Sequence, residues 1–416
     1  MIAKVALPDE YRRSAIQSPA WPDRSPYVGL SAFDSEHADV FFGRSRMTSD
    51  LLAAMRSQID SQRRFVLIVG ASGCGKTSLL RAGAIPLLQQ DGGFDGLCAL
   101  SVAHCDLAAA EGGDALKHLA SALTAWSLGE RPVFPPQPVE HLAQTLAQRP
   151  DTIASTIMDA FQRQPSRTVA ERPHAHLLLL VIDHAEALVA SAQIDYEERM
   201  TFSRVLDALC DSPRTLVAMI TRSDFYPKLM ETMPAITERK AGDAHLDVLT
   251  PRTGEIAQII RLPAMLAGLN FEEDKQTAMR LDDVLRDAAA QHPDALPLLQ
   301  HTLQSLYERK NDTGTLGFDA YRDIGGLEGA LAHRAEQVFA TLPIDAQTQL
   351  GTVLAQLIVI QPDSDAVSAR WVRWSSLHHQ HTRILAEAFV RARLFVGQLR
   401  DGRPGFGVAH EALLRQ

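Results

Sequence analysis

The 416-residue chain is poor in cysteine and in aromatics and has no long apolar run, and each shortage closes off a class of protein. Its four cysteines, Cys74, Cys98, Cys105 and Cys210, form neither a CxxC pair nor a metal-ligand spacing. This excludes a disulfide scaffold and points to a reducing, cytoplasmic compartment. No apolar stretch approaches the roughly 20 residues of a membrane helix, and residues 1–25 lack the apolar segment of a secretion signal, so no membrane partner is expected. Basic residues are not in excess either. Lys and Arg number 41 against 50 Asp and Glu, a formal charge of −9 that argues against wholesale nucleic-acid binding. What remains is ordinary for a globular chain, 46% hydrophobic and 22% charged, with length for two or three domains.

Against this background one stretch stands out, RRFVLIVGASGCGKTSLL at residues 63–80. An apolar run runs directly into Gly70, Ala71, Ser72, Gly73, Cys74, Gly75, Lys76 and Thr77, which reads as a strand, a P-loop and the start of a helix. Glycines let backbone N–H groups curl around a di- or triphosphate, and the helix start adds its positive dipole end. Gly70, Ser72, Gly73, Cys74, Gly75, Lys76, Thr77 and Ser78 are therefore the expected phosphate cradle. Lys76 is placed to reach the β- and γ-phosphates, and the Thr77 hydroxyl to ligate Mg²⁺.

Short apolar runs alternate with helical patterns from residue 27 to about 246: FVLIV, LCALSVAHC, LLLLVID and TLVAMIT. Such alternation specifies an α/β parallel sheet. LLLLVID ends in Asp183, the second Mg²⁺ carboxylate that a P-loop requires, and Glu186 lies three residues on, either as the group that orients water or as a surface residue on a helix turn. Arg222 follows TLVAMIT and is placed either to sense a γ-phosphate or to pair with Asp224. The proline-rich stretch 130–140 must be a loop. After residue 249 the pattern turns helical, with Thr250-Pro251 as the expected start of the first helix. From residue 326, three helical stretches and a hairpin around residues 400–405 spell a winged helix. The expected fold is thus α/β, an AAA+-like ASCE P-loop NTPase sheet over residues 27–246, preceded by an extended lead-in (1–26) and followed by an all-helical domain (247–325) and a winged-helix domain (326–416).

Several motifs then fall into one order: PYVGLSAFDSEHADVFFGR, the P-loop with LLRAGAIPLL, VIDHAEAL, TRSDFYPKL, DALPLLQHTL, GGLEGALAHRAEQVF and VAHEALLRQ. Together they make the chain resemble the bacterial STAND NTPases, signal-transducing relatives of the NACHT and NB-ARC switches, from about residue 26 to the end. The resemblance implies an ATP-binding core, a helical lid and a winged helix that close around ADP and open or oligomerise on ATP exchange, with slow hydrolysis as the reset. It also implies that Gly43 and Arg44 belong to an N-terminal nucleotide-contacting motif, that Pro297 packs against adenine, and that His410 touches the β-phosphate of ADP and latches the closed state. Where relatives read DQFEEL this chain reads DHAEAL, so Ala185 and Ala187 replace an aromatic and a second acid, a departure that bears on hydrolysis more than on binding. Relatives continue into sensor repeats past AHEALL and carry effector domains; such domains, or separate chains that supply them, are expected partners, and defence against phage is common among them.

The rival expectation is an ATP-dependent DNA-binding AAA+ protein. Seven arginines against two acids lie between residues 370 and 403, yet the segment TRILAEAFVRARL is largely apolar, which disfavours DNA as a partner. His378, His379 and His381 lack the Cys or carboxylate pattern of a metal site and read as a solvated loop.

Overall fold

The computed structural model describes residues 21, 24–108, 114–163, 175–191, 194–240, 242, 244–291, 295–360, 367–392, 394–400 and 403–408. Two compact units emerge, one formed by residues 1–45 with 250–330 and the other by 46–249 with 331–416. The segment around Tyr27 and Gly43 thus groups with the helices beyond residue 250, not with the sheet.

The sheet of the larger unit has five parallel strands: β1 (Phe65–Gly70), β2 (Leu97–Asp106), β3 (Ala175–Asp183), β4 (Thr215–Arg222) and β5 (His245–Asp247). Their spatial order is β2-β3-β4-β1-β5, so the P-loop strand and the LLLLVID strand flank TLVAMIT. Burial on both faces explains the unbroken apolar runs of β1 and β3, because a parallel sheet covered by helices has no wet side. β2 lies at an edge and alternates instead: Leu97, Ala99, Ala103 and Cys105 are buried while His104 and Asp106 are exposed. A register shift between Ala99 and Ser101 leaves Leu100 out of the ladder, at 44% exposure.

Before β1 comes helix α1 (Ser45–Asp60), whose Met47, Leu51, Leu52, Met55 and Ile59 recur at helical spacing and are buried. One core cluster joins Phe65, Leu67 and Val69 of β1 to α2 (Ala115–Leu123) and α3 (Tyr196–Asp211). Trp126 is fully buried in it, stacked on Phe134 at 6.4 Å and donating its indole N–H to Leu179 O at 3.1 Å. The predicted proline-rich loop is largely that, with a two-residue hairpin, Ser127–Leu128 against Arg131–Pro132, at its start. All four cysteines are free thiols, and burial pushes Cys105 and Cys210 up to about 12.

In the smaller unit α4 (Thr253–Leu266) packs on α5 (Leu281–Ala290), followed by α6 (Ala295–Glu308). α4 starts later than Thr250-Pro251 predicts. Glu255 Oε2 accepts the Arg252 amide at 2.8 Å, so the cap forms at Arg252, and Thr250 is kept from helical angles by the proline after it. Pro263 inside α4 cannot donate to Ile259 O; one residue on, Ile260 O accepts the buried Tyr27 hydroxyl at 2.7 Å. The unit is not wholly helical, since Asn270–Phe271 pairs with Thr315–Leu316.

The C-terminal stretch holds α7 (Gly326–Thr341), α8 (Leu350–Leu357), α9 (Gln380–Arg391) and a three-stranded antiparallel sheet of β6 (Val372–Arg373), β7 (Phe395–Arg400) and β8 (Arg403–Val408), with β8 in the middle. The predicted hairpin is tighter than six residues, since Arg400 pairs directly with Arg403. The second predicted helix ends at Leu357, and Ile358–Ile360 turns into a short strand paired with Val367–Ala369, as β-branched residues favour. Among the described residues no helix is long and apolar enough to cross a membrane.

Candidate nucleotide-binding site

The loop after β1 is built for close approach to an anion. Gly73 and Gly75 sit at φ +76° and +91°, values that a Cβ makes costly, and Gly75 immediately precedes the helical run Lys76–Ser78, Leu79–Ala84 and Ile85–Gln89. Among the described residues no side chain caps that start. The first turn of a helix has no intrahelical partners for its N–H groups and suits an anion. Lys76 is buried, and its Nζ donates to Gly70 O at 2.9 Å and Ala71 O at 2.8 Å, which holds the ammonium against the loop. Cys74 is buried, and Ser72, Thr77 and Ser78 are half-buried.

Across β4, the Thr77 hydroxyl donates to Asp183 Oδ2 at 2.9 Å. This contact joins the P-loop to the end of β3, 106 residues away in sequence. Asp183 itself is buried, and its Oδ1 accepts the His184 amide at 3.0 Å while Arg81 Nη2 lies 3.6 Å from Oδ2. A hydroxyl and a carboxylate oxygen converging beside a phosphate loop are the hard oxygen donors that Mg²⁺ takes, so the residues present fit that ion. A bound Mg²⁺ would be held by Thr77 and Asp183 and would neutralise phosphate charge.

Two further groups sit here that the sequence did not single out as site residues. His184 adopts φ +55°, uncommon for a residue with a Cβ, and its Nδ1 lies 2.8 Å from Asp106 Oδ1 at the end of β2. Asp106 and Asp183 are register partners, so the edge strand presents its last carboxylate beside the buried one. Burial disfavours a charged His184, but the hydrogen bond to Asp106 and the charges of Asp183, Glu186 and Asp106 outweigh it and push the imidazole up to about 9. The same hydrogen bond holds the Asp106 carboxyl below the usual carboxylate range, against burial. No spacing in the sequence reveals this pair, because Asp106 and His184 meet only through the β2–β3 register.

Glu186 stands at the start of the turn Ala187–Ala190, with Oε2 buried and without a hydrogen-bond partner among the described residues. Such an orphaned acceptor is expensive unless something polar meets it. Arg222 ends β4 level with Gly70, and its guanidinium is forked onto Asp224 at 3.0 and 2.8 Å. Asp224 thus takes Nε and Nη2 of Arg222. Gly43, Arg44 and Pro297 belong to the smaller unit. Gly43, at φ +75°, has no room for a side chain, since a Cβ would lie 2.4 Å from Glu255 O; Arg44 is buried, and Pro297 is the third residue of α6, where its missing N–H has no intrahelical partner to lose. His410 lies outside the described residues. His378, His379 and His381 are exposed.

A parallel sheet with chain order 5-1-4-3-2 from one edge, a P-loop on strand 1 and an acid ending strand 3 is a P-loop NTPase core of the AAA+ type. The family model of the novel STAND NTPase 1 family matches residues 26–416. The chain belongs to that family. No curated protein sequence matches it. Among solved structures it is similar to the ORC2 protein of Aeropyrum pernix in ADPNP and ADP complexes (13% identity, 94% of each chain covered, TM-score 0.49) and to the ORC1 protein of the same organism in complex with DNA (16%, 97% of this chain and 95% of that one, 0.45). A third is Cdc6p from Pyrobaculum aerophilum (14%, 97% and 95%, 0.41).

Proposed function

We propose that this STAND NTPase is an adenine-nucleotide switch that binds ATP or ADP with Mg²⁺, rests closed around ADP, and opens or self-associates when ATP replaces it. The observation that carries the reading is the 2.9 Å contact from Thr77 to Asp183, which brings together the two oxygen donors that a P-loop site needs. Lys76 and the loop N–H groups hold the phosphates, and Glu186 orients the attacking water through its unsatisfied oxygen. In the reset step the water oxygen bonds to the γ-phosphorus, the bond to the bridging oxygen breaks to leave ADP, and the water's proton passes to the Glu186 carboxylate. A single acid, with Ala187 where relatives carry a second, makes this hydrolysis slow. Gly43, Arg44 and Pro297 complete the nucleotide site in this reading, residues 326–416 form the winged helix, and His410 latches it to ADP. The cytoplasm is the proposed compartment, with sensor or effector modules as partners.

DNA binding is the weaker reading. On α9, Glu387 lies between Arg383 and Arg391, 3.7 and 4.0 Å from their guanidiniums, and offsets the charge that a phosphate backbone would need.

The test is to identify the nucleotide that copurifies with the protein and to measure particle size before and after exchange to an ATP analogue. ADP on a small particle that changes size on exchange is the expected result. Absence of any adenine nucleotide, together with unmeasurable affinity for both ATP and ADP, would overturn the reading.

A further inference from the structure

We propose that the buried hydroxyl of Thr221 is a positioning group for Glu186, donating to its carboxylate so that the acid is held towards the attacking water. The proposal rests on the nucleotide reading above and concerns the hydrolytic step at the same site.

The starting point is a hydroxyl in a costly place. Thr221 is the last residue but one of β4 and is fully buried, and its Oγ1 has no hydrogen-bond partner among the described residues. A buried hydroxyl without a partner costs the folded state its lost hydration, and valine has nearly the same shape without that cost. A hydroxyl kept in such a position calls for a partner met at some stage of the protein's work. Other unpartnered buried oxygens lie elsewhere: Gln58 is on α1, Thr215 starts β4, and Gln300 and Thr302 belong to the smaller unit. Among the described residues, only Glu186 Oε2 and Thr221 Oγ1 stand at the carboxyl ends of the strands, where ligands bind in open α/β sheets.

The chain brings these two together. The Ala185 amide donates to Ile220 O at 3.0 Å, so the segment leaving β3 crosses the end of β4. Glu186 and Thr221 are the next residues on either side of that contact. They also share a face. Side chains alternate along a strand, and Val217 and Met219 of β4 belong to the main core cluster, so Thr221 points the same way. Ala185, Ala187 and Leu188 lie in that cluster too, which puts the turn carrying Glu186 over the same side of β4.

The two groups are chemically complementary. A hydroxyl donates and an ionised carboxylate only accepts, so the contact asks for no change of charge at either group. In this structure the two oxygens are not bonded to each other, and rotation of the Glu186 side chain closes the contact. A carboxylate offers about four lone-pair sites, so one given to Thr221 leaves the others for water. One fixed orientation of the acid is what an oriented attack requires, and Thr221 supplies it through Glu186 without touching the nucleotide.

Thr221→Val and Thr221→Ala both remove the hydroxyl, the first keeping the branched shape, and Thr221→Ser keeps the hydroxyl. On the full chain, the experiment measures single-turnover phosphate release, calorimetric binding of ADP and of a non-hydrolysable ATP analogue with Mg²⁺, and the melting temperature. Thr221→Val and Thr221→Ala should release phosphate about tenfold more slowly, the effect of one charge-assisted hydrogen bond, with both affinities within about twofold of the parent. The melting temperature of Thr221→Val should be no lower than the parent's, because an unsatisfied buried hydroxyl is gone. Thr221→Ser should restore most of the rate. In a Glu186→Ala background the valine should change nothing further, since no carboxylate is left to hold. Unchanged phosphate release in Thr221→Val and Thr221→Ala, an equal loss in Thr221→Ser, or an undiminished effect in the Glu186→Ala background would overturn the proposal. A lower melting temperature of Thr221→Val with release unchanged would mark the hydroxyl as structural and overturn it as well. A parent protein that binds neither nucleotide would sink the nucleotide reading and this role with it, whereas normal binding with release indifferent to Thr221 sinks this role alone.

Discussion

At Asp183 two carboxylate oxygens serve the Thr77 hydroxyl, the His184 amide and the Arg81 guanidinium at once, so the local balance of charge is decided by a few named groups. Glu186 is the neighbour whose Oε2 has no partner among the described residues. Glu186→Gln keeps the shape and removes the charge; we expect turnover to fall by about 10²–10⁴-fold with nucleotide affinity little changed, read by phosphate release and calorimetry side by side. Retained turnover would move the water-orienting role elsewhere. Asp282 offers a test of stability in the smaller unit. It is buried and accepts from Arg261 at 2.5 Å and from Arg280 at 3.0 Å; burial alone would raise its pKa, but these hydrogen bonds hold the carboxyl below the usual range. A carboxyl depressed in the folded state stabilises above its unfolded pKa of about 3.9, and that stability is lost as pH falls through the folded value. With both arginines about half exposed, Asp282→Asn should cost only about 1–2 kcal/mol at pH 7, and the difference should shrink as pH drops below about 4 in denaturant titrations.

Among the elements, those with an unbroken apolar run or a strong motif were plain in the sequence. FVLIV and LLLLVID became β1 and β3 because each is buried on both faces, and GASGCGKT became the turn that glycine alone permits at φ +91°. Boundaries were less legible where a particular hydrogen bond or strand pairing decided them. The start of α4 is one such case, set by Glu255 reaching back to the Arg252 amide. Glu255→Ala should therefore destabilise the helix start by about 1 kcal/mol, seen as faster amide exchange in the first turn of α4 with the sheet strands unaffected. The break after Leu357 is another, since the apolar run LIV suits a helix or a strand equally until Val367–Ala369 pairs with it.

For the molecule as a whole, a ligand that binds only the folded chain stabilises it by mass action. Nucleotide with Mg²⁺ at a hundred times its Kd should add about 2.7 kcal/mol and raise the melting temperature by a few degrees, an increase that Lys76→Ala should abolish. An unchanged shift in that variant would place the nucleotide away from the P-loop. The sequence by itself determined the strand and P-loop of the core, the acid that ends the LLLLVID strand, and the membership that the ordered motifs announced, because each is written in contiguous residues whose types leave few alternatives. Only the tertiary structure decided that residues 1–45 group with the helices beyond 250, that Asp224 already satisfies the Arg222 fork, and that Asp106 holds His184 beside Asp183. The physical reason is distance along the chain: Asp106 and His184 lie 78 residues apart, and only the hydrogen-bond register of two neighbouring parallel strands brings their side chains to 2.8 Å.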